Sequence, residues 1–272
     1  MSSSRLRRAA SSAGVALLAM LLSVALTGCV DGRTDARAAQ LVDELRALPH
    51  VVSASGGAGG QYDLVLSVTV QVETEVTEVQ LDELRRRVVA RLDDSPWNDI
   101  DVGFELGDGD GFSNLGGDAT FAVFAEMWRD PGSTAVQARG AEGHSIYDVT
   151  RGDLVAAGGP AGLLAATRRM VSAAETAGGV QENLTFGAYT DDRWFSVERS
   201  YVDPVDDAVA LWQSLDGVAP LLGAAARATE YSGQSLELDV VDQVAADELE
   251  RWLEGHPHDA VEVDIEIVPP AE

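Results

Sequence analysis

The sequence predicts an α+β fold, with two-layer sandwiches of antiparallel sheet and helices built as tandem αββαβ modules. Three observations predict it. Residues 62–72, 99–106 and 261–267 alternate apolar and polar side chains, the pattern of a strand with one buried and one wet face. Segments between such runs carry apolar residues at helical spacing, so each helix has a single stripe to bury. The order helix, strand, strand, helix, strand then comes round three times, starting near Asp35, Asp118 and Asp203. One-sided strands and one-sided helices bury each other in layers.

The first round opens on a helix with Asp35 as a cap and Ala38, Leu41, Leu45 and Leu48 inward, stopped by Pro49. Val51-Val52 starts a short strand, and Gly56 to Gly60 reads as a flexible turn. Tyr62 to Val72 is the clearest strand in the chain. Leu81, Leu84, Val88 and Leu92 line the second helix, and Ile100, Val102, Phe104 and Leu106 face inward from the next strand. Residues 107–117 are rich in Gly and Asp and read as a linker. The second round has Phe121, Phe124, Ala125 and Trp128 on a helix ended by Pro131-Gly132. It continues through strands at 134–138 and 145–149, a helix after Gly158-Gly159-Pro160, and a strand around Leu184, Phe186 and Ala188. The third round begins with a strand at 193–201, reached through Thr190-Asp191-Asp192. A helix follows Pro204, with Ala208, Val209, Trp212 and Leu215 inward. A hairpin turns at Ser232-Gly233, a helix carries Ala245, Leu249 and Trp252, and a last strand spans 261–267.

The expected organisation is therefore a leader (1–28), a tether (29–34), module 1 (35–106), a linker (107–117), module 2 (118–190), module 3 (191–268) and a tail (269–272). The third round, with its leading strand, has the βαββαβ order of ferredoxin-like folds. The αββαβ order also resembles the BON module of bacterial envelope proteins. That resemblance, which is one of topology, implies an envelope setting and an association with membrane or lipid.

The leader has its own grammar. Arg5, Arg7 and Arg8 precede an apolar stretch from Gly14 to Leu26, which is too short to span a bilayer that needs roughly 20 residues. It ends in Leu26-Thr27-Gly28-Cys29, which resembles the lipobox of bacterial lipoproteins. The resemblance implies cleavage between Gly28 and Cys29 and lipid on the Cys29 thiol, hence a membrane anchor on the extracytoplasmic face. Cys29 is the only cysteine, so an internal disulfide is excluded and a cysteine-based metal cluster is not available.

The formal charge is −26. Residues 1–28 hold three arginines and no acid, so the remainder carries −29. All 19 basic residues are arginine, and with abundant Ala, Val, Gly and Asp the composition resembles that of high-GC actinobacterial proteins. The only basic clusters after the leader, Arg85-Arg86-Arg87 and Arg168-Arg169, sit in helical patterns. Nucleic acid, whose binding rests on neutralising phosphates, is excluded as a partner. Anionic headgroups repel such a chain, which leaves membrane attachment to the acyl chains.

Catalytic signatures are sparse. His256-Pro257-His258-Asp259 offers metal-ligand chemistry, but in a turn with no further ligand nearby, so no metal is assigned. Asp108-Gly109-Asp110-Gly111 departs from the EF-hand pattern at Phe112 and Ser113. Gly111-Phe112-Ser113-Asn114-Leu115 lacks the last glycine of a nucleophile elbow. Without lysine there is no phosphate-binding loop of the G-x-x-x-x-G-K type. No cofactor and no catalytic residue are assigned. Trp128, Trp212 and Trp252 fall on helical stripes, Trp97 reads as a partly buried hinge, and Trp194 is the candidate surface contact. The expectation is a non-catalytic binding or structural protein of the envelope, with an envelope protein as a candidate partner. A hydrolase built on carboxylates gathered by folding, or a small-ligand or cation carrier, is the alternative.

Overall fold

The computed structural model describes residues 32–59, 65–93, 97, 99–113, 117–141, 144–178, 183–200 and 203–268. The leader and Leu26-Thr27-Gly28-Cys29 lie outside the described residues, as do Tyr62, Leu64, Pro96 and the tail. The first elements are α1 (Gly32–Arg46), β1 (Val51–Gly59), β2 (Val65–Val72), α2 (Glu78–Asp93), β3 (Asp99–Gly107) and β4 (Asp110–Ser113). There follow α3 (Gly117–Trp128), β5 (Ala135–Ala141), β6 (His144–Thr150), α4 (Gly159–Thr176), β7 (Leu184–Tyr189) and β8 (Trp194–Ser200). The chain then runs through α5 (Asp206–Leu215), β9 (Leu221–Thr229), β10 (Gly233–Val240), α6 (Gln243–Glu254) and β11 (Val261–Ile267).

All eleven strands join one mixed sheet in sequence order, β1 through β11. Hairpins alternate with helical crossovers. The pairs β1–β2, β3–β4, β5–β6, β7–β8 and β9–β10 are antiparallel, and the five pairs between them are parallel. This corrects the expected antiparallel sheet: a helix joins strands that lie side by side, and adjacent strands joined by one helix run parallel. It also corrects the ferredoxin-like order, whose crossovers skip a strand. The parallel pairs alternate in direction while their helices cover the same side. Successive crossovers therefore alternate in hand, a departure from the usual right-handed preference.

The described part of the expected linker, 107–113 and 117, belongs to a hairpin and to the start of α3. Gly107, Asp108 and Gly109 all have positive φ (102°, 50° and 91°), which turns β3 into β4 as a tight hairpin. Phe112 of β4 then stacks on Phe104 at 4.6 Å and meets Phe124 of α3 at 4.9 Å. The segment that was to separate two modules instead carries the aromatic contact that joins them. Two further boundaries move. Helix α1 begins at Gly32, inside the expected tether, so Asp35 lies within the helix. Gly56 to Gly59 belong to β1; a Cβ on Gly56 would collide with the Ser67 carbonyl of β2, so glycine lets the two strands close there.

Caps and stripes explain the helices. Thr77 and Gln80 form a reciprocal capping box at the start of α2: the Thr77 N–H donates to Gln80 Oε1 at 2.8 Å and the Gln80 N–H to Thr77 Oγ1 at 3.3 Å. Asp242 accepts the Ala245 N–H at 3.0 Å to cap α6. Leu81, Leu84 and Val88 of α2, Phe124 and Met127 of α3, Leu163 and Met170 of α4, and Val209 and Trp212 of α5 enter one continuous core. The sheet meets them with one parity of residues: Leu66, Val68 and Val70, then Val102 and Phe104, Phe112, Ala138, Tyr147, Phe186, Val197, Ala226 and Leu236. The other parity forms the second face of the sheet.

Candidate functional site

That second face holds the unusual chemistry. Its residues read across the strands as Gln71, Glu105, Gly111, Gln137, Asp148, Gly187, Glu198 and Arg227, each the register partner of the next. Two features stand on it, one over β2–β5 and one over β6–β10.

The first is a groove of about 420 Å³ whose walls are hydroxyl, amide, carboxylate and guanidinium groups. Gly103 sits in the middle of β3, between Thr69 of β2 and Ser113 of β4, with Asp101 and Glu105 on the same face of its own strand. A side chain built on Gly103 would meet nothing within 4 Å, so the missing side chain is what opens the groove. The far wall is braced. Arg139 Nη2 donates to Gln137 Oε1 at 3.1 Å, Gln137 donates to the Gly109 carbonyl, and Ser113 Oγ accepts the Gly140 N–H at 2.7 Å. Asp110 accepts the Val136 N–H at 2.8 Å. Burial raises the Asp110 carboxyl, and that backbone hydrogen bond and one to Trp128 act against the rise. The Asp108-Gly109-Asp110-Gly111 run thus spends Asp110 on the β4–β5 seam.

The second feature is a buried polar cluster next to it. The Tyr189 hydroxyl donates to Glu198 Oε1 at 2.9 Å and also reaches Asp148. The hydroxyl proton is thus donated in a hydrogen bond to Glu198, with the Asp148 carboxyl beside it. Burial raises Asp148, the Glu198 charge adds to the rise, and the Tyr189 hydrogen bond and the Arg139 charge oppose it. Burial, then the charges of Asp148 and Glu198, push the Tyr189 phenol far above its ordinary range, so it stays a donor. Tyr189 fits only because position 187 is glycine: a Cβ there would lie 2.5 Å from the Tyr189 ring and 2.6 Å from Asp148 Oδ1. Arg227 faces Glu237 at 3.2 Å and Glu198 at 3.7 Å, and its guanidinium stands 5.2 Å above the Trp194 ring. Ser196 and Ala225, small residues on the same face, are fully buried. Asp148 Oδ1 and Ser196 Oγ are buried with no hydrogen-bond partner.

Trp194 is 38% exposed at the rim of this cluster, where the sequence placed a surface contact. Trp97 is buried at 7%, deeper than the expected hinge, and Trp212 is core, whereas Trp128 and Trp252 are half-buried. His256 stacks on Trp252 at 3.8 Å and His258 Nδ1 lies 2.9 Å from the His256 carbonyl, so both imidazoles are used in the turn. Among the described residues no group of three or more His, Cys, Asp or Glu is placed to hold a metal, and no helix is long and apolar enough to cross a membrane. The sequence reading missed Asp148, Tyr189, Glu198 and the groove. The signal was the glycines at 103, 111, 187 and 223, set at wet positions inside strands, where glycine marks close approach.

No protein-family model, curated protein or solved structure matches the chain. The functional reading therefore rests on the geometry and on the leader.

Proposed function

We propose that this chain is a membrane-anchored extracytoplasmic lipoprotein that acts as a non-catalytic binding protein. Its helices and sheet form a two-layer body of three αββαβ modules, and the second face of the sheet meets the partner. The observation that carries this reading is the groove over Gly103, a polar surface on the sheet face opposite the described helices. Anchoring rests on Leu26-Thr27-Gly28-Cys29 and on the arginine-led apolar segment before it. With lipid on Cys29, α1 starts a few residues from the bilayer and the acidic body is repelled by anionic headgroups.

The test is capture from the native envelope by crosslinking, run beside fractionation of Cys29→Ala. The reading expects a reproducible partner for the parent chain and release of Cys29→Ala from membranes. A parent chain that captures nothing refutes the binding role; a Cys29→Ala chain that stays in the membrane fraction refutes the anchor.

One observation favours a second reading, an envelope hydrolase: Asp148 and Glu198 converge on Tyr189 with the Asp148 carboxyl raised. A hydrolase would lose turnover in Asp148→Asn and in Glu198→Gln, whereas a binding protein has no turnover to lose.

A further inference from the structure

We infer that the groove over Gly103 takes a neutral polyhydroxylated ligand, a glycan chain of the cell envelope. The inference rests on the binding-protein reading and names its ligand class.

The lining decides the class. Thr69, Gln71, Asp101, Glu105 and Arg139 surround a floor that has no side chain. Carboxylates only accept hydrogen bonds, a guanidinium only donates, and amides and hydroxyls do both. A sugar hydroxyl both donates and accepts, so successive hydroxyls along a glycan can answer every group of such a wall. An apolar ligand would cover these groups without answering their hydrogen bonds. An anionic ligand meets Asp101, Glu105 and Asp110, while a polycation finds Arg139 among them and could use the carboxylates but not the amide and hydroxyl groups, so oligo-arginine is the comparator that separates the two classes. Size agrees: about 420 Å³ is within the range of small-ligand sites. So does stiffness. The groove stands on paired strands rather than loops, and the Arg139 side chain is held by Gln137 before any ligand arrives. A strand-interior glycine that faces open space weakens its strand and stabilises nothing around it, which fits a site that a ligand must approach closely.

The experiment is titration calorimetry on the full-length lipidated chain in detergent micelles. The probes are neutral oligosaccharides of glucose, mannose, galactose and N-acetylglucosamine, with an oligo-arginine peptide and polyphosphate as charged comparators. At least one neutral glycan should bind saturably with Kd below ~1 mM. Gly103→Leu, whose Cβ meets nothing within 4 Å, should weaken that binding at least about tenfold while Tm stays within about 2 °C of the parent. The paired exposed substitutions Gln71→Ala and Arg139→Ala serve as the second variant and should also weaken it. Absence of binding by every glycan, or glycan binding indifferent to both variants, overturns the inference. Binding of oligo-arginine or polyphosphate alone, lost in Gly103→Leu, overturns the glycan class but leaves the binding-protein reading standing. Failure of every titration together with failure of envelope capture removes both.

Discussion

Two aspartates on this chain have been moved in opposite directions by their surroundings, and they give opposite responses to acid. Burial acts to raise Asp130, but hydrogen bonds from Arg151, the Gly132 N–H and Arg169, with the Arg151 charge, outweigh it and hold the carboxyl at about 2. Its folded value is below its unfolded one, so its contribution is whole above the ordinary value of 3.8 and is lost as pH falls through about 2. Arg151 is only 13% exposed, so Asp130→Ala strands a buried guanidinium and should cost about 3 kcal/mol by denaturant melts at pH 7. Asp148 behaves in reverse. Burial first, then Glu198, raises it, so the contribution of this group is present below 3.8 and is lost as pH rises through its higher folded value. Asp148→Asn should therefore melt above the parent at pH 7, with the gain vanishing near pH 3. A gain of the same size at both pH values would refute the electrostatic account of the cluster.

At the scale of elements, the weakest junction is the seam between β4 and β5. Among the described residues, only Gly111↔Gln137 and Phe112↔Ala138 pair there. Side chains complete it, with Asp110 on the Val136 N–H and Ser113 on Gly140. Asp110→Ala should cost about 1 kcal/mol and should speed amide exchange at Val136 well beyond that at Val68 in the interior of β2. Unchanged exchange at Val136 would mean that backbone pairing alone holds the seam. This junction also explains what the sequence could reveal. The alternation of Leu66, Val68 and Val70 with Ser67, Thr69 and Gln71 is a local signal, and it identified β2 and its two faces. Strand pairing is not local. Nothing near Phe112 says that four residues among glycines and aspartates form a strand, because its reason is the Phe104 and Phe124 rings from other elements. The same holds for the site. The exposure of Trp194 is a property of one residue, whereas Asp148, Tyr189 and Glu198 come together only through the β6–β7–β8 register.

Over the whole molecule, one sheet and one core run through the described residues of all three expected modules, so these should not melt separately. Calorimetry should give a single transition whose van't Hoff and calorimetric enthalpies agree; two resolved transitions would divide the chain again at 107–117 or near 190. The free edges are managed differently. β11 carries Glu262, Asp264 and Glu266, charges that discourage edge-to-edge pairing, while Arg46 of α1 donates to the Ala54 carbonyl of β1 at 2.8 Å. Among the described residues, the second face of the sheet is the surface that the proposed binding role assigns to a partner. Photocrosslinking in intact cells tests this most directly, with the reactive residue placed in turn at Ser67 and Glu105 on that face and at Val79 and Val244 on the helices. Adducts to an envelope component are expected from positions 67 and 105, absent at 79 and 244 and lost when Gly103→Leu is added. Adducts from the helix positions alone, or from all four alike, would contradict it.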